Sequence, residues 1–160
     1  MHTLYDEKDL KLMHSAEEVA GNKNNRIEMI KNFASKAGYE KIGIAHCIAC
    51  TREAEILKEY LSDSFEVVAI DCKLGKYRKD EFLGINKKGI ICNPAGQADY
   101  LASHGTELNL EVGLCVGHDI IFQTKSSAPV STLFVKDFKT HHDTHVAFDE
   151  IKQQLACVEA

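Results

Sequence analysis

The sequence predicts a single α/β domain in three layers, with a mainly parallel sheet of about four or five strands between two layers of helices. Three observations carry this expectation. Apolar runs at Ile42-Gly43-Ile44-Ala45, Val67-Val68-Ala69-Ile70, Gly89-Ile90-Ile91 and Leu108 to Leu114 read as strands covered on both faces, because a strand with one wet face would alternate apolar and polar. Segments with apolar residues at helical spacing lie between several of them, as the crossovers between parallel neighbours require. The length, 160 residues, suits one domain able to bury roughly two-thirds of its unfolded surface.

In chain order, Leu12, Met13, Ala16, Val19 and Ala20 give a first helix within Leu4 to Ala20, stopped by Gly21-Asn22. A second runs from about Asn25 to Ala37, with Ile27, Ile30, Phe33, Ala34 and Ala37 on one face and Gly38 as its left-handed stop. The expected organisation is therefore one domain, 1-160, in which N-terminal helices (1-38) pack on an α/β core (39-160). Lys41 to His46 is the first core strand, Arg52 to Leu61 a crossover helix, and Phe65 to Ile70 the next strand. Cys72 to Lys88 breaks the pattern with Gly75, Gly84 and six basic residues, and reads as a loop with one short helical turn. It is either a solvated surface loop or a cationic flap over the edge where the cysteines gather, favouring thiolates or an anionic ligand.

Asn93-Pro94 spells a helix start, an asparagine cap followed by proline at the first helical position, and the helix should run to about Ser103 before His104-Gly105. A strand over Leu108 to Leu114, a helix opening at His118 and a strand over Val130 to Val135 follow. A last helix from about Thr144 to Val158 should pack through Val146, Phe148, Ile151 and Leu155, with Cys157 as a core residue.

The formal net charge of −5 argues against a general affinity for nucleic acid or an anionic membrane. Met1 to Lys8 lacks the apolar centre of a signal peptide, and no run is long enough to cross a bilayer, so the expected location is the cytoplasm. In that reducing compartment the six cysteines are better read as metal ligands, redox thiols or core residues than as disulfides.

The cysteines point to a site. Four apolar runs end at or near Cys47, Cys72, Cys92 and Cys115, and the ends of parallel strands lie along one edge of one sheet, where ligands bind in open α/β folds. Four thiolates from four loops suit zinc or an iron-sulfur cluster, without a choice between them. The Gly113-Leu114-Cys115-Val116-Gly117-His118-Asp119 stretch adds His118 as a fifth ligand or a neighbour of the ligands, and Asp119 as an acid-base partner or helix cap. Gln97, one turn into its helix, can face the same space.

Two other chemistries compete. Cys47-Ile48-Ala49-Cys50 is a C-x-x-C at a strand-to-helix junction, the arrangement of a thiol-disulfide oxidoreductase. The helix starts after Cys92 and Cys115 suit a small-anion binding module. His141, His142 and His145 offer a metal pair at a helix start or a surface cluster. No substrate pocket can be read from the sequence, so enzyme activity, like homo-oligomer formation, stays open.

Several motifs in order carry a resemblance: Cys47 after G-I-A-H, C-K-x-G at Cys72 to Gly75, C-N-P-x-x-Q-A at Cys92 to Ala98, T-E-L-N at Thr106 to Asn109, G-L-C-V-G-H-D at Gly113 to Asp119, S-x-A-P-V at Ser126 to Val130 and V-K-D at Val135 to Asp137. Across Tyr5 to Phe148 the chain resembles a prokaryotic domain-of-unknown-function family described as predicted metal-binding proteins. The resemblance implies a metal site at Cys47, Cys72, Cys92 and Cys115, with Asn93, Gln97, Asn109, His118 and Asp119 around it. Cys50 falls where that pattern does not require cysteine. By the same resemblance, members often carry a cysteine-rich segment ahead of this region, where this sequence has Met1 to Leu4, and the pattern's V-K-D-R and H-N-P stand as Val135-Lys136-Asp137-Phe138 and His142-Asp143-Thr144.

Overall fold

A computed structural model describes residues 4–21 and 23–158. The expected stop at Asn22 and the opening Met1-His2-Thr3 lie outside the described residues. The chain forms helices α1 (Glu7–Val19) and α2 (Arg26–Ala37), strand β1 (Lys41–His46), a 3-10 turn (Ile48–Cys50), α3 (Thr51–Leu61), β2 (Glu66–Asp71) and α4 (Lys79–Leu83). It continues with α5 (Pro94–Ser103), β3 (Leu108–Val112), α6 (His118–Lys125), β4 (Val130–Phe134) and α7 (Thr144–Val158).

The helices start where local chemistry says they should. Asn25 accepts from the backbone of Ile27 and Glu28 while Glu28 bonds back to the Asn25 N–H, a complete capping box, and Gly38 closes α2 in the left-handed region at φ 81°. Asn93 caps α5 by accepting from Gly96 N–H, with Pro94 as its first residue.

The four strands lie in the order β2-β1-β3-β4, and every neighbouring pair is parallel. The central strands are buried almost throughout, with Ile42, Ile44, Leu110 and Val112 fully enclosed. Right-handed crossovers in opposite directions put α3 on one face and α5 with α6 on the other. Helix α2 lies beside α3, where Lys31 Nζ donates to Tyr60 O at 3.1 Å and stands 4.3 Å from the Tyr60 ring centre. The chain leaving β1 turns toward β2, whereas the chain leaving β3 turns toward β4. The carboxyl ends of β1 and β3 thus flank the topological switch point, where a crevice opens in such sheets.

Two expectations are corrected. Gly89 to Cys92 is not a sheet strand: Ile90 makes one antiparallel bridge to Arg78, and Ile91 N–H and Asn93 N–H donate to Tyr77 O and Cys72 O at 2.8 Å each. Its backbone groups are satisfied by the loop after β2, which leaves nothing for the sheet. The second correction concerns α7, whose apolar stripe does not pack. Phe148 is 65% exposed, Ile151 and Leu155 are at least half exposed, Val146 is exposed, and Cys157 lies on the surface. The periodicity is helical as expected, but α2, α3, α5 and α6 already cover both faces of the sheet.

This contrast gives a stability prediction. Phe122→Ala, which empties a fully buried position on α6, should cost about 3–5 kcal/mol in urea unfolding, whereas Phe148→Ala on α7 should stay within about 0.5 kcal/mol of the parent. A comparable loss at both positions would show that α7 is packed in solution.

Candidate functional site

The carboxyl edge of the sheet gathers most of the chemistry. Cys47 follows β1 directly, its N–H donating to Val112 O at 3.1 Å, so the end of β1 is tied to the end of β3. The 3-10 turn that follows aims Ala49 N–H at Cys47 Sγ, 3.5 Å away. Cys72 follows β2 and its sulfur accepts from Ile48 N–H at 3.4 Å, which brings the second thiol against the turn after the first. Cys92 lies near Cys72, close enough to help push the Cys72 thiol up. Cys115, on the turn between β3 and α6, lies near enough to Lys136 to help hold its ammonium above the ordinary range.

Two lysines face these sulfurs. Lys136, just after β4, places Nζ 3.2 Å from Cys47 Sγ. Lys73, next to Cys72, places Nζ 3.3 Å from Cys92 Sγ and 2.9 Å from Ile90 O. The Lys73 contact is of the kind expected of a cationic flap over the cysteine edge, whereas Lys136 was not singled out by the sequence.

Burial works on these groups in different directions. It raises the Cys72 thiol from 9.0 to about 12, reinforced by Cys92 and against the Ile48 N–H, which favours the thiolate. Cys50 is raised by burial and then by Cys47 nearby. Burial lowers His118, and the Lys73 charge lowers it further, while Asp119 opposes. For Lys136 burial pulls down but the bond and charge of Cys47, with those of Cys115, outweigh it, so its ammonium is held above the ordinary range.

The remaining predicted residues divide. Gln97 is buried and its Nε2 donates to His46 O at 3.2 Å and Ile70 O at 3.0 Å, bridging the carboxyl ends of β1 and β2. Asn93 donates through Nδ2 to Leu74 O at 3.2 Å while its backbone N–H holds Cys72 O, so it braces Cys92 beside Cys72. His118 and Asp119 open α6 at this edge, and Asp119 Oδ1 accepts from Ile120 N–H at 2.7 Å. Asn109 stands apart, in the amino half of β3, where its amide joins Thr106 and Ser126. His142 is a packing group: its Nδ1 accepts from Asp137 N–H at 2.9 Å and its ring lies 5.0 Å from that of Phe134. His141 and His142 precede α7 in left-handed backbone, at φ 54° and 68°, so they do not share a helix face with His145.

Cys50 lies beneath the site. It is buried, and a Cβ added to Gly113 would fall 2.4 Å from its sulfur and 3.0 Å from Phe134 Cε2. Gly113 also has φ 61°, so only glycine lets the turn after β3 close over Cys50 without strain.

Among the described residues, no group of three His, Cys, Asp or Glu side chains stands ready to hold a metal ion. The thiols instead form two neighbourhoods: Cys72 with Cys92 and Lys73, and Cys47 with Cys115 and Lys136. Sulfur donors, with an imidazole whose pKa burial lowers, are the donor types that thiophilic metals prefer. A cavity of about 590 Å³ between α2, α3 and β4 is apolar and contains none of the thiols.

The fold and site define a class: an open, parallel α/β domain with thiols gathered at the carboxyl edge of its sheet. The chain belongs to the DUF1847 family, proteins of unknown function, whose sequence profile matches residues 1–133. It is 48% identical over 126 residues to an uncharacterized protein of Methanocaldococcus jannaschii, a match covering 76% of this chain and 65% of that protein's length. No helix among the described residues is long and apolar enough to cross a membrane.

Two predictions follow from the geometry. Gly113→Ala should destabilise the protein by about 2–4 kcal/mol, combining left-handed strain with overpacking, and adding Cys50→Ala should recover the packing part. A Gly113→Ala variant as stable as the parent would contradict the close approach. Because the folded state keeps the Cys72 proton that the unfolded chain releases near pH 9, metal-free protein should lose stability as pH rises from 9.0 to about 12. Cys72→Ala should flatten that alkaline slope in urea titrations.

Proposed function

We propose that this chain binds zinc or an iron-sulfur cluster through Cys47, Cys72, Cys92 and Cys115, with His118 as a further ligand or a partner beside them. The observation that supports the reading is the gathering of four thiols from separate segments at the carboxyl edge of the sheet, as two neighbourhoods joined where Ile48 N–H, on the turn after Cys47, reaches the Cys72 sulfur. The donor chemistry suits both centres, since each accepts four thiolates. The resemblance to proteins described as metal-binding points the same way.

The residues have distinct parts in this proposal. Lys73 and Lys136 hold positive charge at Cys92 and Cys47 before loading; once their ammonium groups withdraw from the sulfurs, they offset the negative charge of a multi-thiolate centre. Gln97 and Asn93 fix the loops that carry Cys47, Cys72 and Cys92. Asp119 orients or charges His118. A bound centre would supply Lewis acidity as zinc or one-electron chemistry as a cluster. Six free cysteines suit a reducing cytoplasm, and the net charge of −5 suits neither nucleic acid nor an anionic membrane as partner.

Protein purified without oxygen should contain stoichiometric zinc, or iron with sulfide and a visible absorption band. Cys115→Ser should weaken retention at least about tenfold, and Cys50→Ser, which changes a packing residue, should retain the centre. Metal-free protein that gains none from zinc or from cluster reconstitution would overturn the proposal. Retention in Cys115→Ser with loss in Cys50→Ser would overturn the ligand set.

A further inference from the structure

The C-x-x-C at Cys47 and Cys50 is the obvious dithiol in the sequence, yet another pair is better arranged for exchange. Cys72 and Cys92 are separated by 20 positions in the chain yet brought side by side where the loop before α5 bonds to the end of β2. Their backbones run alongside each other, with Asn93 N–H donating to Cys72 O at 2.8 Å. Asn93 adds its side-chain bond to Leu74 O, so both ends of the pair are held by one residue. The two sulfurs differ in access: Cys72 is 2% exposed, whereas Cys92 is half-buried and reachable from solvent. Lys73 Nζ rests 3.3 Å from the reachable sulfur.

We infer that Cys92 and Cys72 form a redox pair, with Cys92 as the attacking thiol and Cys72 as the resolving thiol, that exchanges with low-molecular-weight disulfides. The Cys92 thiolate attacks one sulfur of the incoming disulfide, forming a mixed disulfide and releasing one small thiolate, which takes up a proton. The Cys72 sulfur then attacks Cys92 Sγ, its proton passing to the departing small thiolate, which closes the protein disulfide and releases the second small thiol. Two electrons pass from the protein pair to the incoming disulfide, whose two sulfurs leave as thiols. The ammonium of Lys73 faces the sulfur that carries charge as the reaction begins. Cys50, packed beneath Gly113, has no comparable access.

The pair stands whether or not the site takes a metal, although a closed disulfide would withdraw two of the proposed ligands. The test uses chelator-treated full-length protein under argon with oxidised glutathione, followed by alkylation and peptide mapping without reduction. The expected product joins tryptic peptide 59–73 to peptide 89–125, with fragmentation placing the bond on Cys92 rather than Cys115. Two glutathione molecules should be released for each chain oxidised. Cys72→Ser should stop at the mixed disulfide on Cys92 with one released, and Cys50→Ser should react like the parent. A Cys47–Cys50 bond, a lasting glutathione adduct on Cys92 in the parent, or no reaction would each overturn the inference. Because metal is absent throughout, none of these outcomes bears on the metal reading.

Discussion

The arrangement of this site depends on the approach of Gly113 to the Cys50 sulfur. The added atom of any other residue would stand 2.4 Å from that sulfur, so the absence of a side chain lets the turn after β3 nest on the turn after β1. Backbone bonds complete the junction, with Cys47 N–H held by Val112 O and Gly113 N–H held by Phe134 O. The β3–β4 register slips between Glu111 and Val112, next to the same turn. Lys136 then reaches across, its N–H on Leu114 O and its ammonium at Cys47. Three strand ends are thereby tied together at one edge of the sheet, and Gln97 adds the end of β2.

Charge decides what this crevice can do. Thiols in an apolar interior keep their protons, as the rise at Cys50 and Cys72 shows. Lys73 and Lys136 introduce fixed positive charge at the rim, beside Cys92 and Cys47, while His118 is biased toward its neutral form by burial and by Lys73. A crevice with deep protonated thiols, ammonium groups at its edge and a neutral imidazole suits sulfur chemistry that begins at the rim and moves inward. The proposed metal capture and the inferred thiol exchange would both have that direction, with Cys92 as an outer member.

Much of this was legible in the sequence because the signals were local. Asn93-Pro94 marks the start of α5 through hydrogen bonds within one turn, and strands covered on both faces reveal themselves by unbroken apolar runs such as Ile42 to Ala45. What was not legible depends on distant partners. Gly89 to Cys92 has the composition of a strand, but the destination of its N–H groups at Tyr77 and Cys72 leaves no mark on the run itself. Helix α7 shows its periodicity and not what, if anything, covers it. Lys136 reaches Cys47 across 89 positions, and Asn109, grouped with the site by resemblance, is engaged by Thr106 and Ser126 far from the thiols.

The central claim is that the thiols of separate loops act as one donor set. X-ray absorption at the metal edge of zinc-loaded protein measures this directly, since sulfur ligands lie at about 2.3 Å and nitrogen or oxygen ligands at about 2.0–2.2 Å. The account predicts a first shell dominated by sulfur, with three or four sulfur neighbours and at most one imidazole, and a fall in the sulfur contribution in Cys92→Ser. A shell of nitrogen and oxygen alone would place the metal elsewhere, and the donor set described for this crevice would be wrong.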